Sequence, residues 1–166
     1  MKIKLVILTA VFVLMASCAS MVPEKQTSAD CLVVIKTSVS NPDNIPNARN
    51  YLFSITGVDN RLRVPKKENG YVYFVIKDEN AKLESLFTMV AGKNVSGKTS
   101  SYGELNIPLP YSPGKMVIAD FSFLQELYKV KSNEFMNQVN FVPLSEEEKQ
   151  LLLDQLISMG SFDNWL

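Results

Sequence analysis

The chain has 166 residues, 46% of them hydrophobic and 20% charged, enough for one domain with a sizeable core. Lysine and arginine together number 17, as do aspartate and glutamate, so there is no basic footprint for nucleic acid. Histidine is absent, which excludes Ser-His-Asp and Cys-His catalysis and every histidine-containing metal site.

Lys2 and Lys4 precede an apolar run, Leu5 to Met15, broken only by Thr9. As a helix this run rises only about 16 Å, too short to cross ~30 Å of hydrocarbon. The small residues Ala16 and Ser17 then lead to Cys18. A positive start, a short apolar stretch and a small-residue end form an export and cleavage pattern. Met15-Ala16-Ser17-Cys18 resembles the lipobox of bacterial lipoproteins. The resemblance implies cleavage before Cys18, a diacylglycerol on its sulfur and acylation of the new amino group. Several acyl chains anchor firmly where a single one is marginal. Ala19 stands where such proteins carry an aspartate when retained at the inner membrane, so the resemblance implies the outer membrane of a two-membrane bacterium. The alternative is a secreted protein with a chance cysteine at its cleavage site.

Residues 18–30 are polar, with Pro23 and no apolar period, and read as a lipidated flexible tether. The domain is expected to start at Cys31. Cys31 adjoins Leu32-Val33-Val34-Ile35, so burial as a small hydrophobe is its plainest role, and no basic neighbour would activate its thiol. With Cys18 acylated it has no partner in the chain for a disulfide.

Strand signals dominate residues 31–142. Cys31 to Ser38 is apolar and β-branched, and Asn41 to Asn47 is turn-rich. Asn50 to Thr56 places Tyr51, Phe53 and Ile55 on one face, and Arg61 to Val64 is a short strand. Asn69-Gly70 is a hairpin-turn dipeptide leading into Tyr71-Val72-Tyr73-Phe74-Val75-Ile76, which suits a central strand. In 78–90, Leu83, Leu86, Phe87 and Val90 share a helical face and Asp78 could cap it, which favours a short helix over a strand. Leu105 to Leu109 alternates, and Lys115 to Phe123 is a strong strand. Gln125 to Gln138 is polar and fits no period, and Val139 to Val142 suits a last strand. Residues 143–166 hold a helix and tail. Ser145 and Glu148 form a capping box, Glu146 and Glu147 add negative charge at the helix start, Leu152, Leu153, Leu156 and Ile157 form the apolar stripe, and Gly160 is the stop. Phe162 to Leu166 is expected to fold back onto the domain, with docking into a partner as the alternative.

Gly92-Lys93-Asn94-Val95-Ser96-Gly97-Lys98-Thr99 matches a phosphate-binding loop at every fixed position, and Met116 to Asp120 could be its Mg²⁺-carrying strand. Such a loop must open a helix, and Ser100-Ser101-Tyr102-Gly103, Pro108 and Pro110 forbid one. The stretch is read as a hairpin turning at Asn94 and Gly97. No nucleotide, metal or other cofactor is expected. Asp43, Asp59, Asp78 and Glu79 fall in turns, where carboxylates bond the backbone. Tyr102 and Tyr111 lie in or beside loops and are the candidate ligand-stacking residues, with core packing as the competing role.

Ile45-Pro46-Asn47-Ala48 with the strand after it, and Thr99 to Pro110 with the Met116–Phe123 strand after it, are similar to transthyretin-like or carboxypeptidase-regulatory-like β-sandwich domains. Tyr71–Ile76 and the 78–90 segment would be an insertion in that pattern. The resemblance implies a mostly β, sandwich-like fold and a non-catalytic role, and transfers no functional residue. The expected protein is therefore a lipid-anchored envelope protein, an accessory subunit of an envelope or surface assembly. A carbohydrate- or peptide-binding module is the alternative, and a hydrolase a remote one.

Overall fold

The computed structural model describes residues 22–44, 48–56, 62–63, 69–92, 95–102, 104–131, 134–160 and 162–166. Its organising element is β1 (Cys31–Ser40), in which Cys31, Leu32, Val33, Val34 and Ile35 are all fully buried. A strand with both faces covered has no use for polar alternation, which is why this run is continuously apolar.

Further along the chain come β2 (Ala48–Ile55), β3 (Leu62–Arg63), β4 (Asn69–Ile76), β5 (Lys82–Gly92), β6 (Val95–Tyr102), β7 (Ile107–Pro108), β8 (Met116–Ile118), β9 (Phe121–Lys131) and β10 (Glu134–Pro143). A helix, α1 (Glu146–Ser158), and a 3-10 turn (Asp163–Trp165) follow. The protein is mostly β, with two sheets and a C-terminal helix. The first sheet runs β10-β9-β1-β4, with β8 also on β1. The second runs β3-β2-β5-β6, with β7 also on β5. β8 and β9 pair parallel to the same edge of β1, at Leu32 to Val34 and at Thr37 to Ser40. They act as one strand interrupted at Ala119 and Asp120, and the Ala119 N–H still donates to the Val34 carbonyl at 2.9 Å. β6 and β7 are likewise one interrupted path along β5; within the break Glu104 and Asn106 take φ 58° and 49°.

Two apolar clusters meet at β1. One joins Cys31, Val33 and Ile35 to Val72, Phe74 and Ile76 of β4, to Phe121, Phe123 and Val139, and to Ile55, Leu83 and Leu86 of the second sheet. The other joins Leu32 and Val34 to Met116 and Ile118, and to Leu152, Leu156, Phe162 and Trp165 of the C-terminal segment. Tyr73 stacks obliquely on Phe162, with ring centroids 5.6 Å apart. The tail thus folds back onto the domain.

Several expectations are corrected. Residues 82–92 are strand, not helix. Leu83 and Leu86 lie three apart and are both fully buried because Ile55 pairs with Leu83 while Ser54 pairs with Ser85, leaving Glu84 as an extra bulged residue. A bulge reverses the facing of every later side chain, so a strand reproduces a helical spacing. Asp78 serves a turn, its Oδ1 accepting the Asn80 N–H at 2.9 Å and its carbonyl the Ala81 N–H at 3.2 Å. Asn69 and Gly70 are strand residues paired with Ser38 and Thr37, not a hairpin turn. Gln125 to Gln138, which showed no period, belongs to the long β9–β10 hairpin. Gly97 lies within β6, so the β5–β6 connection falls at 93–94, outside the described residues. Ile157 leaves the expected helix stripe and is 39% exposed, whereas Leu152 and Leu156 are buried.

The capping box forms as read. The Glu148 N–H donates to Ser145 Oγ at 3.2 Å and the Ser145 N–H donates to Glu148 Oε2 at 2.8 Å. Lys149 joins this helix start to the β8–β9 corner, reaching Asp120 at 2.7 Å and Glu146 at 2.6 Å. Gly160 follows the helix with φ 66°.

Candidate functional site

Cys18 and the rest of the leader lie outside the described residues. Between Val22 and Asp30 the chain touches the domain at several points. The expected tether therefore makes domain contacts well before Cys31, and we refer to residues 22–30 as the strap.

The strap is built around Asp30, a fully buried carboxylate. A buried charge is costly unless its oxygens are satisfied. Asp30 Oδ2 accepts the N–H groups of Gln26 at 2.7 Å and Thr27 at 3.0 Å. Its Oδ1 accepts the Thr27 hydroxyl at 2.6 Å, and Lys77 Nζ stands 3.8 Å away. The Thr27 hydroxyl is the largest influence on its titration; with the two N–H groups and Lys77 it outweighs burial and holds the carboxyl below its ordinary value. The Asp30 carbonyl accepts the Gly114 N–H at 2.7 Å, tying the strap to the loop before β8. Gly114 has φ 72°, a conformation that disfavours a side chain.

Three further contacts hold the strap. Trp165 Nε1 donates to the Pro23 carbonyl at 2.7 Å, Lys25 Nζ to the Gly114 carbonyl at 3.1 Å, and the Tyr111 hydroxyl to the Ala29 carbonyl at 2.8 Å. Lys25 Nζ also lies 6.0 Å from the Trp165 ring centroid. Val22 packs into the same cluster as Trp165. The first described residues and the last ones of the chain are thus joined at one place.

The residues singled out in the sequence take the following places. Tyr111 is half-buried against the core, with its hydroxyl engaged by the strap. Tyr102 ends β6, and its side chain lies outside the description. The Tyr111 hydroxyl thus helps hold the strap in place. Lys98 and Thr99 lie in β6, paired antiparallel to β5, so the loop-like motif sits between two strands and opens no helix. Asp120, the residue of the companion motif, is an exposed partner of Lys149. Asp43 Oδ2 accepts the Lys129 N–H at 2.6 Å. Cys31 is buried; burial pushes its thiol pKa up, partly opposed by the Ser112 N–H donating to Sγ at 3.3 Å. Among the described residues, no helix is long and apolar enough to cross a membrane.

The strap itself had no signal in the sequence beyond Trp165 and the terminal apolar residues. A single aspartate before a strand carries no pattern, so nothing in the sequence marks Asp30. A search of protein-family models, characterised proteins and solved structures finds no match to this chain.

Proposed function

We propose that the chain is a lipid-anchored protein of the bacterial cell envelope, held at the outer membrane through Cys18, with a non-catalytic role as an accessory subunit of an envelope or surface assembly. The observation that carries this reading is Met15-Ala16-Ser17-Cys18 at the end of a short apolar leader opened by Lys2 and Lys4. The non-catalytic part is supported by the employment of the carboxylates. Asp30 bonds the strap, Asp78 a turn, Asp43 the β9 backbone, Asp120 the Lys149 side chain and Glu148 the helix cap. Groups committed to local structure are poorly placed for general acid–base work. A protein partner is supported by Tyr128, Val130 and Met136, which lie together on the β9–β10 pair and are 38%, 50% and 46% exposed.

We further propose that the two sheets stack as a sandwich of the transthyretin-like kind. Support comes from the apolar cluster that unites Val33, Ile35 and Phe74 of one sheet with Ile55, Leu83 and Leu86 of the other.

The test is fractionation of cells carrying the wild type and Cys18→Ser, with the mass of the mature N-terminal peptide measured alongside. The expected result is an acylated Cys18 and a folded variant released from membranes. A variant still wholly membrane-bound overturns the anchor. Crosslinking in intact cells followed by mild extraction tests the subunit role, and recovery of the protein alone overturns that part.

A further inference from the structure

We propose that the strap turns a long leash into a short one, so that the domain rests with its Pro23–Trp165 end against the bilayer that carries its own anchor. This inference rests on the lipid-anchor reading of Cys18 and goes beyond it by assigning an orientation.

Chain length decides the matter. A fully extended residue spans at most about 3.5 Å, so the stretch from Cys18 to Val22 reaches about 14 Å, whereas a free chain from Cys18 to Cys31 would reach about 45 Å. A domain of this size has a radius of gyration of about 15 Å, and its body is wider than the shorter reach. On the long leash the domain could roll and show any face to the lipid. On the short one it cannot turn the far end toward the membrane.

The strap is fixed at points spread along it. Pro23 is held by Trp165, Lys25 by Gly114, Ala29 by Tyr111, and Asp30 by both the Gly114 N–H and its own buried carboxylate network. Release of one contact therefore leaves the others in place. The surface beside the exit point is small and partly apolar. Leu166 is 62% exposed next to buried Trp165, and the Lys25 ammonium lies close by. Exposed Glu24 and Asp163 flank the same tip, so its charge is mixed and the orientation rests on the length of free chain.

Topology then fixes what faces away. β1 starts at the strap, and β9 runs parallel to it, pairing up to Ser40–Glu126 and continuing to Lys131. The β9–β10 hairpin tip lies beyond Ser40, at the opposite end of β1. Its side chains Tyr128, Val130 and Met136, 38%, 50% and 46% exposed, are presented away from the bilayer.

Trp165 is the only tryptophan of the chain, so the end proposed to face the membrane carries its own probe. The experiment places the purified acylated full-length protein in phosphatidylethanolamine–phosphatidylglycerol vesicles containing a dansyl-headgroup lipid and measures energy transfer from Trp165. A second form carries a long Gly-Ser insertion between Ser20 and Met21, which leaves the strap and the domain untouched. Strong transfer in the wild type and its loss in the insertion form are expected. Equal transfer in the two forms, strong or weak, overturns the short leash. An unmodified Cys18 in the peptide mass overturns the anchor reading itself, and is seen before any vesicle is made.

Discussion

Trp165 donates its indole N–H to the Pro23 carbonyl at 2.7 Å, joining two residues separated by 142 positions. The ring is 2% exposed and shares a cluster with Leu32, Val34, Leu152 and Leu156. Trp165→Phe keeps most of the packing and removes the donor, so a loss of about 1 kcal/mol is expected. Trp165→Ala also leaves a cavity, and about 3–5 kcal/mol is expected. Urea denaturation followed by far-UV circular dichroism ranks the two, and equal losses would point away from a packing role for the ring.

Asp30 makes stability depend on pH in a defined direction. An unfolded aspartate titrates near 3.8 and the folded Asp30 lower. The folded state therefore binds fewer protons, and the contribution is complete above that value. It is lost as the pH falls from there through the lower folded value. Asp30→Asn should lower stability at pH 7 by about 2 kcal/mol, since its bonds are to an ionised acceptor. At pH 3, below the unfolded value, the gap between this variant and the wild type should be narrower than at pH 7. Urea midpoints at the two pH values check this, and a gap that stays constant would count against the network.

Cys31 is expected to be inert. It is fully buried, with its Sγ accepting the Ser112 N–H and a thiol pKa pushed up by burial. Only the thiolate reacts readily, so iodoacetamide should label the native protein slowly and the urea-unfolded protein fast. Mass spectrometry over time gives both rates. Comparable rates would place the thiol at the surface.

Ser145→Ala removes one half of the capping box. A loss of about 1 kcal/mol is expected, within the range for such caps. Because α1 covers one face of β1 through Leu152 and Leu156, the loss should appear in the global unfolding transition and not as local fraying. Thermal melts monitored by circular dichroism distinguish the two.

In the β9–β10 hairpin, Gln125 Nε2 donates to Asn137 Oδ1 at 2.7 Å, and both residues are buried. Gln125→Leu takes a hydrogen bond from a buried amide and should cost about 1–3 kcal/mol. A neutral outcome in urea titration would show that the site can be rebuilt around an apolar side chain.

What could be read from the sequence was what depends on near neighbours. The α1 start lies within four residues, Ser145 to Glu148, and its chemistry is local. The strand over Cys31–Ile35 announces itself because double burial needs an unbroken apolar run. Tyr71–Ile76 is as apolar but ends its sheet among the described residues instead of lying centrally, with Val72, Phe74 and Ile76 buried and Tyr71, Tyr73 and Val75 only partly covered by the C-terminal segment. β5 misled because the Glu84 bulge gives Leu83 and Leu86 a helical spacing. The β9–β10 hairpin showed no period because polar Gln125 and Asn137 occupy its buried face while Tyr128, Val130 and Met136 stand exposed. The position of Tyr111 beside a loop suggests a role for its ring, but its hydroxyl is engaged by Ala29, a residue 82 positions away. The strap is illegible in the sequence for the same reason. Its partners, Gly114 and Trp165, are distant in the chain, and no spacing within residues 22–30 foretells them.

The position of β1 also governs how the protein comes into being. Chains emerge N-terminus first, and Cys31–Ser40 is the first strand among the described residues. Its neighbours are β4, then β8 and β9, so its pairing is complete only after Glu126 exists. Contacts this far apart in sequence are slow to form. Until then the most apolar segment of the domain has no partner along its β8–β9 edge, and such a strand is an invitation to self-association. The hazard in the life of this protein therefore falls before folding is complete, in five residues from Cys31 to Ile35, and a substitution there should reduce yield before it reduces the stability of the molecules that do fold.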